Sequence, residues 1–264
     1  MKAKVLSVYD EGSLPGTSLI GAKGFSVIVD VDGERTLFDT GRRGAYLKHN
    51  MDELEIGADS IDRIVLSHAH TDHTGGLPAF LERRTEKIDV LATPDIDGTH
   101  KEDLFGLIPM NRAGMPKMPD NEKEKMNLIK INNWTQLSEN LFMTGIPEGA
   151  GSVKGAVQEN SLVLMTENGP AAICGCCHNG PASLMEIIEE RTERKVSAFV
   201  GGMHLVRSKR NYVHELACTL KDNGRPMLYL NHCSGQTQRT YLREILGMDG
   251  VKDLYVGTEI HFDI

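Results

Sequence analysis

Apolar residues recur along this chain in short runs separated by glycine, proline and charged breakers, a rhythm that favours strands over long helices. Val5 to Val8, Phe25 to Val29, Thr36 to Phe38, Ile64 to Leu66 and Ile88 to Ala92 read as buried strands. Asp32-Gly33 is the strongest turn signal of the sequence and folds the second and third runs into a hairpin. Residues 44–55 can form a helix. Another begins at Leu77, where Pro78 is tolerated because the first turn leaves its N–H groups unpaired anyway. Residues 10–24, with Gly12, Pro15, Gly16 and Gly21, read as loop.

The second half continues in the same manner. Short strands are expected at residues 130–131, 136–137 and 141–143, and a hairpin joins 161–165 to 171–174 across Glu167-Asn168-Gly169-Pro170. Strands at 196–200, 227–230 and 253–256 then alternate with helices over 182–194 and 236–246, the pattern of layered α/β structure. Between about residues 94 and 125 the pattern weakens, with Pro109, Pro116 and Pro119 among Met110, Met115 and Met118. The stretch reads as a long irregular insertion within one domain spanning 1–264. Its methionines offer adaptable apolar surface for covering a substrate or gripping a second subunit, and an insertion without a role is the alternative.

Composition narrows the function classes. A chain of 264 residues can bury a substantial core, and 40% hydrophobic with 25% charged residues is ordinary for a soluble protein. The net charge of −8 argues against nucleic acid as a partner. With neither an apolar leader nor an 18-residue apolar run, the expectation is a cytoplasmic protein without a membrane partner, with homo-oligomerisation left open. Five cysteines, an odd number, read as reduced thiols and not as a disulfide framework or zinc finger.

The chemistry concentrates in Ser67-His68-Ala69-His70-Thr71-Asp72-His73-Thr74-Gly75-Gly76, directly after the Ile64 to Leu66 strand. Such polar groups are seldom buried unless paired or bound to metal. In extended chain, residues two apart point the same way, so His68 and His70 can grip one cation while Asp72 and His73, past the bend, turn to a second.

His68-x-His70-x-Asp72-His73 resembles the signature of the metallo-β-lactamase superfamily, and Leu37-Phe38-Asp39-Thr40-Gly41, about thirty residues upstream, resembles its first motif. The resemblance implies a four-layer αββα sandwich with a metal site at one edge of the sheets. Asp39 would then orient a metal-bound imidazole or a water, with a turn cap as the plain alternative. Many members carry a Gly-Asp whose carboxylate bridges both metals. This chain instead has Cys174-Gly175-Cys176-Cys177-His178, which makes His178 a candidate ligand and leaves the bridge open. Cys177 is a soft donor beside it, although neighbours in extended chain face opposite ways, and a buried structural thiol is the alternative. Glu159 stands where the family often has a ligand, and can be a ligand, a supporting or substrate contact, or a solvated turn residue. His232, at the end of the 227–230 strand, is the last expected ligand of the second metal.

Gly201-Gly202-Met203-His204 lets backbone approach a ligand closely, so His204 is expected in catalysis together with Asp72, or in substrate binding. Arg207, Lys209 and Arg210 suit an anionic group such as phosphate. Expected cofactors are two divalent ions, zinc first and manganese or iron as alternatives. Lowering the pKa of a shared water, they would supply hydroxide to an ester, lactone or phosphate-containing small molecule. The later motifs resemble the superfamily branch that includes the archaeal dihydropterin-methyl-ribofuranosylaminobenzene phosphate synthase, so a transferase displacing pyrophosphate is the alternative. A di-iron oxidoreductase is a lesser one.

Overall fold

The computed structural model describes residues 2–97, 101–104, 108–111, 114–146 and 157–264, with backbone alone for the two short strands at 101–104 and 108–111. The strands of the first half are β1 (Lys2–Tyr9), β2 (Ser26–Val31), β3 (Glu34–Phe38), β4 (Arg63–Val65), β5 (Ile88–Ala92), β6 (Lys101–Leu104), β7 (Ile108–Asn111) and β8 (Met126–Lys130). Those of the second are β9 (Thr135–Gln136), β10 (Leu141–Met143), β11 (Ser161–Leu164), β12 (Ala171–Cys174), β13 (Ala198–Gly201), β14 (Met227–Leu230), β15 (Val251–Asp253) and β16 (Glu259–Asp263). Helices are α1 (Gly44–Glu53), α2 (Thr71–Thr74), α3 (Leu77–Glu82), α4 (Asp120–Lys123), α5 (Pro181–Thr192), α6 (Arg210–Asp222) and α7 (Gln236–Gly250).

Two seven-stranded sheets result, ordered β16-β1-β2-β3-β4-β5-β8 and β15-β14-β13-β12-β11-β10-β9. In the first, β3, β4, β5 and β8 run parallel; in the second, β12, β13, β14 and β15 do. The β2–β3 hairpin turns on Asp32 and Gly33 alone, both at positive φ, as a two-residue turn matching strand twist requires.

One core is shared between the sheets, where Val27, Val29, Phe38 and Val65 of the first meet Leu162, Leu164, Ile173 and Val200 of the second. A second core lies under α1 and α3 (Leu47, Met51, Leu77, Leu81 on Leu37 and Ile64), and a third under α5, α6 and α7 (Ile188, Leu220, Leu242 on Phe199 and Leu228). The layering is therefore αββα, the architecture the sequence motifs implied. Among the described residues no helix is long and apolar enough to cross a membrane.

Several elements differ from the sequence reading. The stretch at 94–125 holds the β6–β7 hairpin and the short helix α4. Its Met115 and Met118 pack into the core beneath α1 and α3 instead of forming an outward apolar surface, while the Met110 side chain lies outside the described residues. The last strand of the second sheet ends at Asp253, and residues 259–263, where no strand was expected, pair along β1.

Candidate metal centre

Parallel strands point their carboxyl ends the same way, and loops leaving such ends are where α/β sheets hold their chemistry. The loop after β3 carries Asp39, that after β4 carries Ser67 to His73, that after β12 carries Cys176 to His178, that after β13 carries His204, and that after β14 carries His232 and Cys233. All come together along one edge of the two sheets. Of the eight non-glycine residues with positive φ among the described residues, four (Asp39, Cys177, His204 and His232) lie in these loops, a concentration of backbone strain typical of functional sites.

Among the described residues five overlapping groups of potential ligand atoms occur here, and two of them are triads made only of residues singled out in the sequence. One atom each from His68, His70 and His178 lie within 4.8 Å of one another, as do one each from Asp72, His73 and His232. His68 Nε2 and His70 Nδ1 stand 3.0 Å apart. The ring of His178 is 4.8 Å from that of His68 and 5.0 Å from that of His70. The structure thus brings together all six residues the sequence singled out as ligands.

Buried carboxylates hold several of these groups in place. Asp39 Oδ2 accepts from His73 Nδ1 at 2.6 Å and from Ser67 Oγ at 2.7 Å, while Oδ1 takes the Ser67 N–H at 2.7 Å. A side chain at Gly175 would collide here, its Cβ only 2.4 Å from Ser67 Oγ, so glycine is needed for Asp39 to reach both partners. Glu159 reaches no imidazole at hydrogen-bonding distance. Instead Oε1 accepts the backbone N–H of Cys176 (2.7 Å) and Cys177 (2.8 Å), and Oε2 that of His178 (2.5 Å), clamping the whole loop. That arrangement fits the supporting role, and the solvated-turn reading is overturned because the residue is buried.

Asp10 and Glu11 were not picked out in the sequence. Asp10 Oδ1 accepts the His232 N–H at 3.0 Å, and Glu11 Oε1 lies 3.4 Å from His232 Nδ1. No sequence signal marks them, since their partner is more than two hundred positions away. Lys23 was missed likewise; its exposed ammonium sits 3.7 Å from Asp72 Oδ2.

Cysteine placement decides between the two readings of Cys177 and adds Cys176, which the sequence did not single out. Cys177 turns into the core beneath α5, where it packs with Cys174 and Met185, so it is the structural thiol. Cys176 faces the histidines, its Sγ 3.3 Å from His73 Nε2 and 3.4 Å from His232 Nε2. The rule that groups His68 with His70 would also have grouped Cys176 with His178.

His204 is exposed at the mouth, its ring 4.4 Å from that of His178 and its N–H on Cys233 Sγ at 3.2 Å. Arg207 and Lys209 are exposed beyond it and, among the described residues, have no salt-bridge partner. Arg210 differs: its guanidinium is 2.7 Å from Glu244 and stacks over Tyr241, which directs it along the helices and away from a ligand.

Electrostatics and spacing both suit cations. Burial pushes His68 well below its ordinary pKa, and burial with nearby His204, His70 and His73 brings His178 down to about 2, leaving neutral rings with lone pairs to donate. His178 Nε2 is buried and has no hydrogen-bond partner. Burial acts against charge on His232 too, yet Glu11, Cys233, Asp10 and Asp72 around it raise it to about 9, so this pocket favours positive charge. Two imidazoles on one tetrahedral zinc stand roughly 3.3 Å apart, and an imidazole and a thiolate roughly 3.6 Å, close to the spacings observed. The donors therefore fit a divalent pair. Phe25, fully buried, backs the pocket with its ring 6.4 Å from His73 and 6.3 Å from His232.

Residues 20–121 match the model of the Metallo-beta-lactamase superfamily. A 7,8-dihydropterin-6-methyl-4-(β-D-ribofuranosyl)-aminobenzene-5′-phosphate synthase of Methanocaldococcus jannaschii is 27% identical over an alignment of 272 positions that spans 90% of this chain and 90% of the other. The crystal structure of a metal-dependent hydrolase of the β-lactamase superfamily superposes with a TM-score of 0.78 at 22% identity, over 98% of both chains. That of a diphosphatase of the PhnP family superposes with a TM-score of 0.57 at 16% identity, over 99% of this chain and 98% of the other. Both structural likenesses are likenesses of fold.

Proposed function

Given a chain with the metallo-β-lactamase fold and that superfamily's His-x-His-x-Asp-His motif, we propose that it is a dinuclear metal-dependent hydrolase acting on a small anionic ester, lactone or phosphate compound. The observation that carries this reading is the convergence of two donor triads on one buried edge, with His178 Nε2 left unpartnered. We assign one cation to His68, His70 and His178 and the other to Asp72, His73 and His232. Zinc is the first choice for this nitrogen-rich set, with manganese or iron as alternatives. When bound, such a pair supplies Lewis acidity and acidifies a coordinated water.

The chain's own groups do the rest. Asp39 fixes the ring of His73 so that Nε2 faces the pocket, while Asp10 holds the backbone N–H of His232 and the Glu11 carboxylate lies 3.4 Å from its Nδ1. Phe25 and the buried histidines exclude bulk water, which strengthens every charge interaction in the pocket. His204, exposed at the mouth, is our choice for delivering a proton to the leaving group. Arg207 and Lys209 are our choice for gripping an anionic group, and Asp72 joins the reacting centre as a ligand.

The similarity to the phosphate synthase, extending over 90% of both chains, favours a second reading, a transferase in which Arg207 and Lys209 would hold a departing pyrophosphate and the cations, when bound, would supply Lewis acidity. A metal-reconstituted screen of phosphate esters, lactones and pterin pyrophosphates separates the two. Hydrolysis of an ester or lactone, abolished by His70→Ala, supports the first. Turnover of pterin pyrophosphate that requires an aromatic amine acceptor supports the second. A wild-type protein that retains no divalent metal by elemental analysis contradicts both.

A further inference from the structure

We propose that the Cys176 thiolate bridges the two cations, taking the role that a carboxylate fills in many members of the superfamily. The inference rests on the dinuclear reading above. Cys176 Sγ stands between the triads: it lies 3.3 Å from His73 Nε2 and 3.4 Å from His232 Nε2, and within 4.8 Å of a ligand atom of His68 and one of His178. Its place is fixed by the Glu159 clamp on its N–H and by Gly202, whose Cβ, if present, would sit 3.2 Å from Cys176 Cα and 2.6 Å from Cys233 Sγ.

Among the surrounding carboxylates, Asp39 is bound to His73 and Ser67 and Glu159 to three backbone N–H groups. Asp10 takes the N–H groups of Glu11 and His232 on Oδ1 and leaves Oδ2 buried without a partner, but it groups with no donor of either triad, and Asp72 groups only within the second. Cys177 points into the core. Cys233 groups with His232 and Cys176 but not with the first triad, and its sulfur takes the His204 N–H. A thiolate has lone pairs for two metals, and binding releases the single thiol proton to solvent. As a soft donor it biases the centre towards zinc, iron or cobalt and away from magnesium.

Metal-free protein titrated with Co2+ alone tests this. Wild type should take up two cobalt ions per chain, and a sulfur-to-cobalt charge-transfer band in the near ultraviolet should grow with the first equivalent and again with the second. Cys176→Ser should lose the band and bind the weaker cobalt at least tenfold less tightly. Cys176→Asp should recover two cobalt ions without the band. Two cobalt ions without any band in the wild type would overturn the bridge while leaving the dinuclear reading intact, as would a band that grows with one equivalent only or one that survives Cys176→Ser and vanishes in Cys233→Ser. A wild type that takes up no cobalt removes the dinuclear reading itself. The wild-type titration decides the matter even if a variant fails to fold.

Discussion

A single carboxylate, Asp39, holds His73 by its side chain and Ser67 by both backbone and hydroxyl, while Ser67 Oγ in turn sits 2.8 Å from His68 Nδ1. One residue thus orients an imidazole in each triad. Asp39→Asn keeps the shape but cannot serve all of these donors at once, and support of this kind is worth 10- to 100-fold in metal affinity. The expected result is a loss of about that size in a competition titration with a chelator, with the far-ultraviolet circular dichroism unchanged. His178→Ala should be more severe for one ion, taking bound metal from about two to about one per chain by elemental analysis. Some of this was legible in the sequence. His68, His70, Asp72 and His73 are adjacent, so a local rule of side-chain direction was enough, and the same rule would have found Cys176 had it been carried two residues back from His178.

Elements rather than single side chains decide how the loops are held. Glu189 on α5 shows this away from the metal centre: its carboxylate takes the Lys195 ammonium at 2.7 Å, the Val196 N–H at 3.2 Å and the amide of Asn223 beyond α6, tying two helices to the entry of β13. Burial alone would raise its pKa, but these partners outweigh that and hold it below the usual carboxylate value. A depressed folded pKa means the stabilisation is present above the unfolded pKa and is lost as pH falls through the folded one. Glu189→Gln should therefore cost on the order of 1 kcal/mol near pH 7 and close to nothing at acid pH below the folded pKa, which urea midpoints at the two pH values would compare. The edge strand β16 was illegible at this scale. Its alternation in Glu259 to Asp263 is short and charged, and only pairing with β1 makes it a strand.

At the scale of the whole molecule, the sheets stand or fall together because one core belongs to both. Leu164→Ala, a truncation at a fully buried position of that core, should cost about 2–5 kcal/mol and lower both the tertiary signal and metal retention in a single transition. Metal removal acts on the same equilibrium: at a free metal concentration 100 times the dissociation constant, binding adds about 2.7 kcal/mol. Chelator treatment should thus lower the melting temperature, with full recovery on adding zinc back. An unchanged melting temperature would count against cations held between loops of both sheets. The sequence by itself determined the strand and helix periodicities, the β2–β3 turn and the ligand cluster after β4, since each depends on neighbours within a few residues. Tertiary structure alone decided that Asp10 meets His232 across 222 positions, that Glu159 serves as a clamp, that Arg210 is spent on Glu244 and that Cys176 rather than Cys177 faces the histidines. The reason is physical: which side chains share a pocket depends on how two sheets stack and where their strands end, and no local pattern encodes that distance.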